Sequence, residues 1–241
     1  MGWLKKKLKA AAKWVWTKAK AVVRLAVRIA LTFGWGLTMG LPDLLLGFIL
    51  PAKKLRLHVF ILVNPHTGLP VATPEQVQPS IDFAKKVFKD RLNVKVVPYG
   101  RQFIELIDVG VPDAALDVHC GLSGAWEDFG DAGEFFAGHL AGWNATPVSG
   151  TFPITAFIVK DVHGKGGCTP IGPLVDYVTV DPHGLSNETH STLAHELGHA
   201  CNQFWHSLGR SNLMWGDHDR GDTLHWWQRN LMRASRHVLW W

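Results

Sequence analysis

Apolar and polar positions follow two different patterns along the chain, and the change comes near residue 56. Before it, apolar residues recur with helical spacing and then run together almost without interruption. Beyond it, short apolar runs alternate with amphipathic stretches and turn residues, as in a globular domain. A chain of 241 residues has room for both units. We therefore predict an N-terminal helical segment at residues 1–56 and a globular domain, large enough to hold a catalytic site, at residues 57–241.

The N-terminal segment begins with an amphipathic helix, which the pattern predicts over residues 3–28. Its basic face carries Lys6, Lys9, Lys13, Lys20, Arg24 and Arg28. Its apolar face carries Leu4, Leu8, Ala11, Val15, Val22 and Ile29. Such a helix lies along a membrane surface. Residues 29–52 are apolar apart from Asp43 and are long enough to cross a bilayer, although Pro42 and Asp43 interrupt them. A transmembrane helix and a hairpin confined to one leaflet are both open.

Charged residues, like apolar ones, are distributed unevenly between the two segments. Residues 1–56 carry a formal charge of +11 and the remainder −6, against +5 for the whole chain. Because the basic excess adjoins an apolar run, it favours membrane lipid, and not nucleic acid, as the partner of residues 1–52. More basic residues precede the apolar run than follow it, which favours a membrane-associated protein anchored by its N-terminus, with the domain outside the cytoplasm. A cytoplasmic protein attached peripherally by the basic helix is the alternative.

Strands and helices alternate in the pattern beyond residue 56. Residues 58–63 form an apolar run typical of a buried strand. Thr73 and Gln76 form a capping box for the helix that follows, with Pro74 at its first position. Further strands are predicted at residues 94–98, 155–162 and 176–181. This order is that of an α+β domain.

One motif in the domain carries chemistry. The sequence His-Glu-Leu-Gly-His at residues 195–199 matches the H-E-x-x-H pattern, in which two imidazoles point from one helical face and bind one metal ion. The Glu between them lies about 100° further round the helix, near the metal but off the ligand axis. We expect His195 and His199 as metal ligands and Glu196 as the base that activates water. The helix that carries them is predicted to begin near Ser186.

A catalytic zinc ion needs a third protein ligand and one open position. No Glu follows Glu196, which excludes the class of peptidases that take a distant Glu from a second helix. His206 is the preferred third ligand, because Asn202 can adopt the left-handed conformation that ends a helix and turns the chain back. His218 or Asp217 is the alternative.

The stretch 195–206, followed by a Met at position 214, resembles the H-E-x-x-H-x-x-G-x-x-H motif and Met-turn of the metzincin zinc metallopeptidases. Asn202 replaces the family's Gly, the third His comes one residue late, and Gly216 replaces a Tyr. The resemblance implies a zincin fold with a mixed twisted sheet, an active-site helix, a Met-turn and a C-terminal helix. It also implies that Met214 forms an apolar floor beneath the metal, and it offers His218 as a substitute transition-state donor.

These expectations combine in a zinc-dependent metalloendopeptidase that acts on peptide or protein substrates, with Glu196 as general base. A strand shortly before the active-site helix, with residues 176–181 as the candidate, would offer its edge to an extended substrate. The alternative is a membrane-interacting protein whose body is a structural or degenerate zinc module without hydrolase activity. That alternative needs a fourth protein ligand on the metal.

A last helix is predicted near the end of the chain. Asp222 is predicted to cap a final helix. The core face of that helix carries Leu224, Trp227, Leu231, Ala234 and Val238. Its predicted solvent face carries Arg229, Arg233 and Arg236.

Cys120, Cys168 and Cys201 lack the spacing of a zinc site and allow either one disulfide with a free thiol or three buried thiols.

Overall fold

A computed structural model describes residues 2–47, 49–120, 131–140, 153–218 and 220–240. Within these ranges the helices are α1 (Gly2–Leu37), α2 (Leu41–Leu46), α3 (Pro74–Leu92), α4 (Asp113–Leu116), α5 (Asp131–Gly138), α6 (Pro182–Leu185), α7 (Thr192–Ala200) and α8 (Trp226–Arg233). The strands are β1 (Lys53–Leu62), β2 (Val94–Pro98), β3 (Ile104–Ile107), β4 (Asp117–Val118), β5 (Ile154–Ile158), β6 (Asp161–Val162), β7 (Gly167–Cys168), β8 (Tyr177–Val180) and β9 (Val238–Leu239).

The main sheet is built around β1, with the strand order β2-β1-β5-β8-β7. The pairs of β1 with β2, of β1 with β5 and of β5 with β8 are parallel, whereas β7 runs antiparallel to β8. Strands β3 and β9 also pair with β1. The predicted α+β fold with a mixed sheet is confirmed. The prediction that residues 176–181 present a sheet edge is wrong, because β8 lies between β5 and β7 in the order of the described strands.

Helix α3 begins where its local sequence predicts. The Thr73 side chain accepts a hydrogen bond from the Gln76 backbone, and the Gln76 side chain accepts one from the Thr73 backbone, so the predicted capping box is present. The apolar stripe of this helix is buried against the sheet. Residues of β5 alternate between two cores, since Ala156 faces α3 and α7 while Phe157 faces α5. Helices therefore cover both faces of the sheet.

The N-terminal apolar residues do not form one continuous helix. Residues 29–52 are divided between the end of α1, helix α2 and the connection to β1. Among the helices of the described ranges, none combines the length and the hydropathy needed to cross a membrane, so the predicted transmembrane helix is not supported. Strand β1 begins at Lys53, and the division of the chain at residues 56 and 57 stays a prediction.

Helix α1 packs on the body through polar side chains. Lys20 Nζ donates a hydrogen bond to Glu134 Oε1 at 2.9 Å. Arg28 Nε donates to Asp176 Oδ2 at 2.9 Å, and Arg236 also pairs with Asp176. Burial by itself would raise the pKa of Asp176, but the charges of Arg236 and Arg28 outweigh it and hold that pKa at about 2. At Lys20 and Arg28, the basic face of α1 is therefore turned toward the protein.

The apolar face of α1 points away from these anchors. Positions that lie across the helix from Arg28 have exposed fractions between 59% and 76%. They are Leu8, Val15, Val22, Phe33 and Leu37. In a helix that packs on a protein core by hydrophobic burial, this face would be the one turned inward.

Asp43, which interrupts the apolar run, is a buried counter-ion. Its carboxylate pairs with Lys53 and accepts a hydrogen bond from Arg233 Nε at 3.0 Å. Arg233 also donates to the backbone carbonyls of Leu92 and Pro51, at 2.7 and 2.9 Å. One carboxylate thereby joins α2, β1 and α8.

The C-terminal helix differs from the prediction at its start and in its buried face. His225, and not Asp222, is the N-cap residue of α8. Arg233 and Arg236, which were expected in solvent, are buried, whereas Trp227 is 45% exposed. The reason is electrostatic, because a buried carboxylate needs a buried counter-ion and the hydrophobic pattern does not reveal where those carboxylates lie.

Replacing Asp43 with Ala should leave Lys53 and Arg233 as unpaired buried cations. We expect the free energy of unfolding to fall by roughly 3–5 kcal/mol, the usual cost of breaking a buried ion pair from one side. Urea unfolding followed by circular dichroism measures it. Asp82→Ala is the matched control, since it removes an exposed partner of Lys85 and should change stability little. Equal stabilities for the two variants would contradict the role given to Asp43.

Candidate metal centre

The motif lies on α7, which begins later than the sequence predicts. The helix starts at Thr192 with Ser191 at its N-cap, and the Ser186 start is wrong. Asn187 still serves the helix: its Nδ2 donates to Thr192 Oγ1 at 2.7 Å and its Oδ1 accepts from Ser191 N at 3.3 Å. A side chain five residues before the first residue of the helix thus organises its first turn.

Three imidazoles converge at the end of α7. Nε2 of His199 lies 3.1 Å from Nε2 of His195 and 3.2 Å from Nε2 of His206. One ring nitrogen of each residue lies within 4.8 Å of the others. The predicted pair and the preferred third ligand are therefore brought together in an arrangement that can hold a metal ion.

Backbone carbonyls fix the two helical rings. His195 Nδ1 lies 2.8 Å from Leu213 O, and His199 Nδ1 is hydrogen bonded to Gln203 O. Because a carbonyl oxygen only accepts, each Nδ1 carries the proton and donates. The lone pair of each ring is then left on Nε2, which faces the shared centre. Hydrogen bonds of this kind orient the rings of metal-binding histidines.

Both carbonyl-bearing segments are anchored to α8 through Gln228. Gln203 Nε2 donates to Gln228 O at 3.1 Å. Asn212, which adjoins Leu213, donates from Nδ2 to Gln228 Oε1 at 2.8 Å. The side chains of Gln203, Asn212 and Gln228 are all buried. The C-terminal helix thus supports the hydrogen bonds that aim His195 and His199.

His206 is held between the end of α7 and the turn that contains Met214. Asn202 adopts the predicted left-handed conformation, with φ of 72°, and its Nδ2 donates to Leu231 O at 3.1 Å. On the other side of His206, Ser207 N donates to Met214 O at 2.7 Å. A one-residue-late histidine therefore still reaches its partners, because both flanks of the loop are fixed.

Gly216 stands where the metzincin resemblance would place a Tyr. A Cβ at this position would lie 3.3 Å from Cγ and 3.3 Å from Nδ1 of His206. The ring of the third histidine thus occupies the space next to this backbone, and a side chain there would press on it.

The alternative ligands lie on the cleft wall. His218 and Asp217 line the same cleft but are not members of the three-histidine group. His218 Nδ1 is buried and has no hydrogen-bond partner among the described residues, and its ring lies edge-on to that of His183, with centroids 5.2 Å apart. The role of His218 as a transition-state donor stays a prediction.

Met214 is completely buried and packs against α7 at the motif. A Cβ at Gly198 would lie 2.6 Å from the Met214 sulfur, so the glycine of the motif permits this contact. Met214 N donates to Asn212 Oδ1 at 2.8 Å, which closes the turn. The Met is therefore placed beside the metal-binding helix, and its role as an apolar floor beneath the metal stays a prediction.

Glu196 lines the cleft and is held in place by Thr169. The Glu196 side chain is 6% exposed, and Thr169 Oγ1 donates to its Oε2 at 2.7 Å. Burial raises the pKa of Glu196, while the Thr169 hydrogen bond and the charge of Arg220 oppose that rise. A carboxylate shifted in this direction is better suited to accept and return a proton near neutral pH.

A disulfide fixes the end of strand β7, next to Thr169. Cys168, the preceding residue in the chain, is bonded to Cys120, with 5.8 Å between the two Cα atoms. Cys201 is the free thiol, so the alternative with one bridge is confirmed. Burial raises the pKa of Cys201 to about 12, and its thiol is not part of the histidine group.

The cleft over the histidines has a volume of about 560 Å³ and a positive wall. Arg220 and Lys165 both line it. Burial lowers the pKa of His195, of His199 and of His206, and the charge of Arg220 adds to the effect in each. The three rings are therefore favoured in the neutral form, which is the form that binds metal.

Sequence reasoning missed the residues that support the ligands. Thr169, Gln203, Gln228 and Arg220 belong to no motif. Position alone gave a weak signal for Gln203, which lies inside the motif stretch. The other three reach the site only through the packing of β7 and α8 on α7 and through the loop after the Met-turn.

Comparison with known protein families gave no match for this chain, and comparison with curated protein sequences gave none either.

Replacing Gln203 with Ala should weaken metal binding without removing a ligand. The substitution deletes the bond from Gln203 Nε2 to α8, so the carbonyl that orients His199 becomes less fixed. Loss of such support typically costs about 10–100-fold in metal affinity. Competition with a chromogenic chelator measures it, and Gln102→Ala on an exposed loop is the control. Unchanged affinity in Gln203→Ala would refute the supporting role.

Proposed function

We propose that this protein is a zinc metallopeptidase related in design to the metzincins, cleaving peptide bonds in the cleft above His195, His199 and His206. The observation that carries the proposal is the convergence of three Nε2 atoms beside a buried carboxylate, that of Glu196, which lines the same cleft. The chain order of sheet, motif helix, Met-turn and C-terminal helix supports it.

Zinc is the metal that this donor set fits best. Three neutral imidazoles with outer hydrogen bonds are typical of a catalytic zinc site that keeps one position open. Among the described residues no fourth His, Cys, Asp or Glu joins the three histidines. This supports an open coordination position. It argues against the alternative of a structural zinc module, which needs a fourth protein ligand.

The chemistry of peptide hydrolysis follows from the residues of the cleft. When bound, a zinc ion lowers the pKa of a coordinated water and polarises a carbonyl. Glu196 accepts the proton that the attacking water loses as the new C–O bond forms. It then gives that proton to the leaving nitrogen as the C–N bond breaks. Thr169 holds the carboxylate in place through its hydrogen bond to Oε2.

An extended substrate has a strand to pair with at the sheet edge. Among the described strands β7 is the last of the sheet, and Gly167 and Cys168 both line the cleft. A Cβ at Gly167 would lie 2.8 Å from Thr192 Cγ2 and 3.0 Å from Glu196 Cγ, so only glycine lets this strand approach α7 so closely. A peptide added to β7 would therefore run directly past Glu196.

Glu196→Gln should keep about one zinc per chain and lose peptide cleavage. The amide preserves shape but cannot accept the proton, and loss of a general base costs about 10²–10⁴-fold in rate. Cleavage of a peptide library followed by mass spectrometry, together with metal analysis, measures both properties. Glu188→Gln is the matched control, because Glu188 is exposed and outside the cleft lining. Undiminished cleavage by Glu196→Gln would refute the proposed role.

Anionic lipid is the proposed partner of residues 1–52. The exposed apolar face of α1 is continued by Leu41, Leu45, Leu46 and Ile49, which are also exposed. Exposed lysines cluster in the first turns of α1, at positions such as Lys5, Lys6 and Lys9. An outward apolar face next to basic residues matches a helix lying in the interface of an anionic bilayer.

A location outside the cytoplasm is the corresponding proposal for the catalytic domain. The disulfide between Cys120 and Cys168 supports it, because such bonds persist mainly in oxidising compartments.

Replacing both Val22 and Phe33 with Ser should release the protein from anionic vesicles. Each substitution removes an outward apolar side chain that is 62% exposed, so folding loses little while lipid burial is lost. Co-sedimentation with vesicles of phosphatidylcholine and phosphatidylglycerol measures it. Leu208→Ser, at a 96% exposed residue after His206, is the control and should bind as the parent does. If the double variant binds equally well, α1 is not the lipid-binding surface.

A further inference from the structure

Arg220 is a buried cation in the wall of the metal-binding cleft. Its side chain is 5% exposed and lines the same cavity as the three histidines. Burial lowers the pKa of the guanidinium, while the carboxylates of Glu196 and Asp217 oppose that effect. A charge placed here at such a desolvation cost calls for a partner.

The hydrogen-bonding capacity of Arg220 is largely unused. Its Nε donates to Asp217 O at 2.9 Å, and its buried Nη1 has no hydrogen-bond partner among the described residues. A guanidinium carries five N–H donors in a planar fork that matches the two oxygens of a carboxylate.

The carboxylates of Glu196 and Asp217 act on Arg220 through their charge, but one oxygen of each accepts a hydrogen bond from another group. Glu196 Oε2 accepts from Thr169, and Asp217 Oδ1 accepts from the backbone N of His218. In the described part of the chain, Arg220 forms no ion pair. The acceptor that suits its fork is therefore one that arrives with a ligand.

Lys165 places a second positive charge at the rim of the same cleft. Its side chain is exposed, and its charge reaches Glu196, His199 and His206, as does that of Arg220. Two cations of different burial thus lie on the path of a ligand that enters toward the histidines. An anionic group is attracted at the rim and bound at depth.

We propose that Arg220 binds a carboxylate of the substrate close to the scissile bond, so that the peptides cleaved here are those that present such a group. The inference rests on the proposed peptidase function and names its substrate class. The carboxylate belongs either to a free C-terminus or to an Asp or Glu side chain. A guanidinium beside the histidines binds the carboxylate in the same way in both cases.

Matched peptides test the proposal on the wild-type protein first. A peptide cleaved by the enzyme is compared with its C-terminal amide and with a version in which each acidic residue becomes its amide. We expect one of these changes to raise KM about tenfold or more, which identifies the source of the carboxylate. Equal KM and kcat for all three peptides would overturn the proposal.

Arg220→Gln should remove that discrimination by raising KM for the carboxylate-bearing peptide alone. Arg220→Lys keeps the charge without the fork and should be intermediate. Arg101→Gln, on an exposed loop, is the control and should leave discrimination intact. A fall in kcat for the acidic and the amidated peptides alike would mean that Arg220 stabilises charge on the reacting carbonyl, and that result would also overturn the proposal.

Binding separates failure of this inference from failure of the peptidase assignment. Calorimetry with the zinc-loaded Glu196→Gln variant measures peptide binding without turnover. The acidic peptide should bind at least about tenfold more tightly than its amide. If no peptide is cleaved but this preference is present and is lost in the additional Arg220→Gln variant, carboxylate recognition stands without the peptidase function. If peptides are cleaved and no preference is present, the peptidase function stands and the inference fails.

Discussion

The site depends on two backbone carbonyls that accept hydrogen bonds from imidazole rings. Leu213 O and Gln203 O fix the tautomer of His195 and of His199, so that both lone pairs point to one place. Without this constraint, two rings one helical turn apart would be free to rotate, and their convergence would be accidental. The anchoring of both segments to Gln228 explains why the domain needs its C-terminal helix and the turn around Met214 in addition to the motif helix.

Buried ion pairs join further elements of the fold. Asp176 and Asp43 each collect two cations from segments distant in sequence, and they join α1, α2 and β1 to the C-terminal region. Because polar contacts attach α1 to the body, its apolar residues stay on the outside. A helix attached by hydrophobic burial would have its apolar face covered. The proposed lipid contact and the attachment of the helix are therefore compatible on a single helix, since they use different faces.

Local signals in the sequence were sufficient for much of this structure. The capping box at Thr73, the strand at residues 94–98 and the left-handed Asn202 are set by neighbours a few residues away, and each is where the pattern predicts it. His206 was preferred over His218 on the same kind of local argument. Features that depend on distant partners were missed. Arg233 and Arg236 follow a helical pattern typical of a solvent face, yet the carboxylates that bury them lie on α2 and before β8. Thr169 reaches Glu196 because a sheet edge packs on a helix, which no spacing within either segment encodes.

X-ray absorption at the zinc edge of the zinc-loaded protein tests the central claim most directly. The account predicts four light-atom ligands at about 2.0–2.1 Å, three of them with the multiple scattering of imidazole and the fourth from solvent. A sulfur ligand at about 2.3 Å, or a fourth imidazole in place of solvent, would show a closed or different site and would contradict the account.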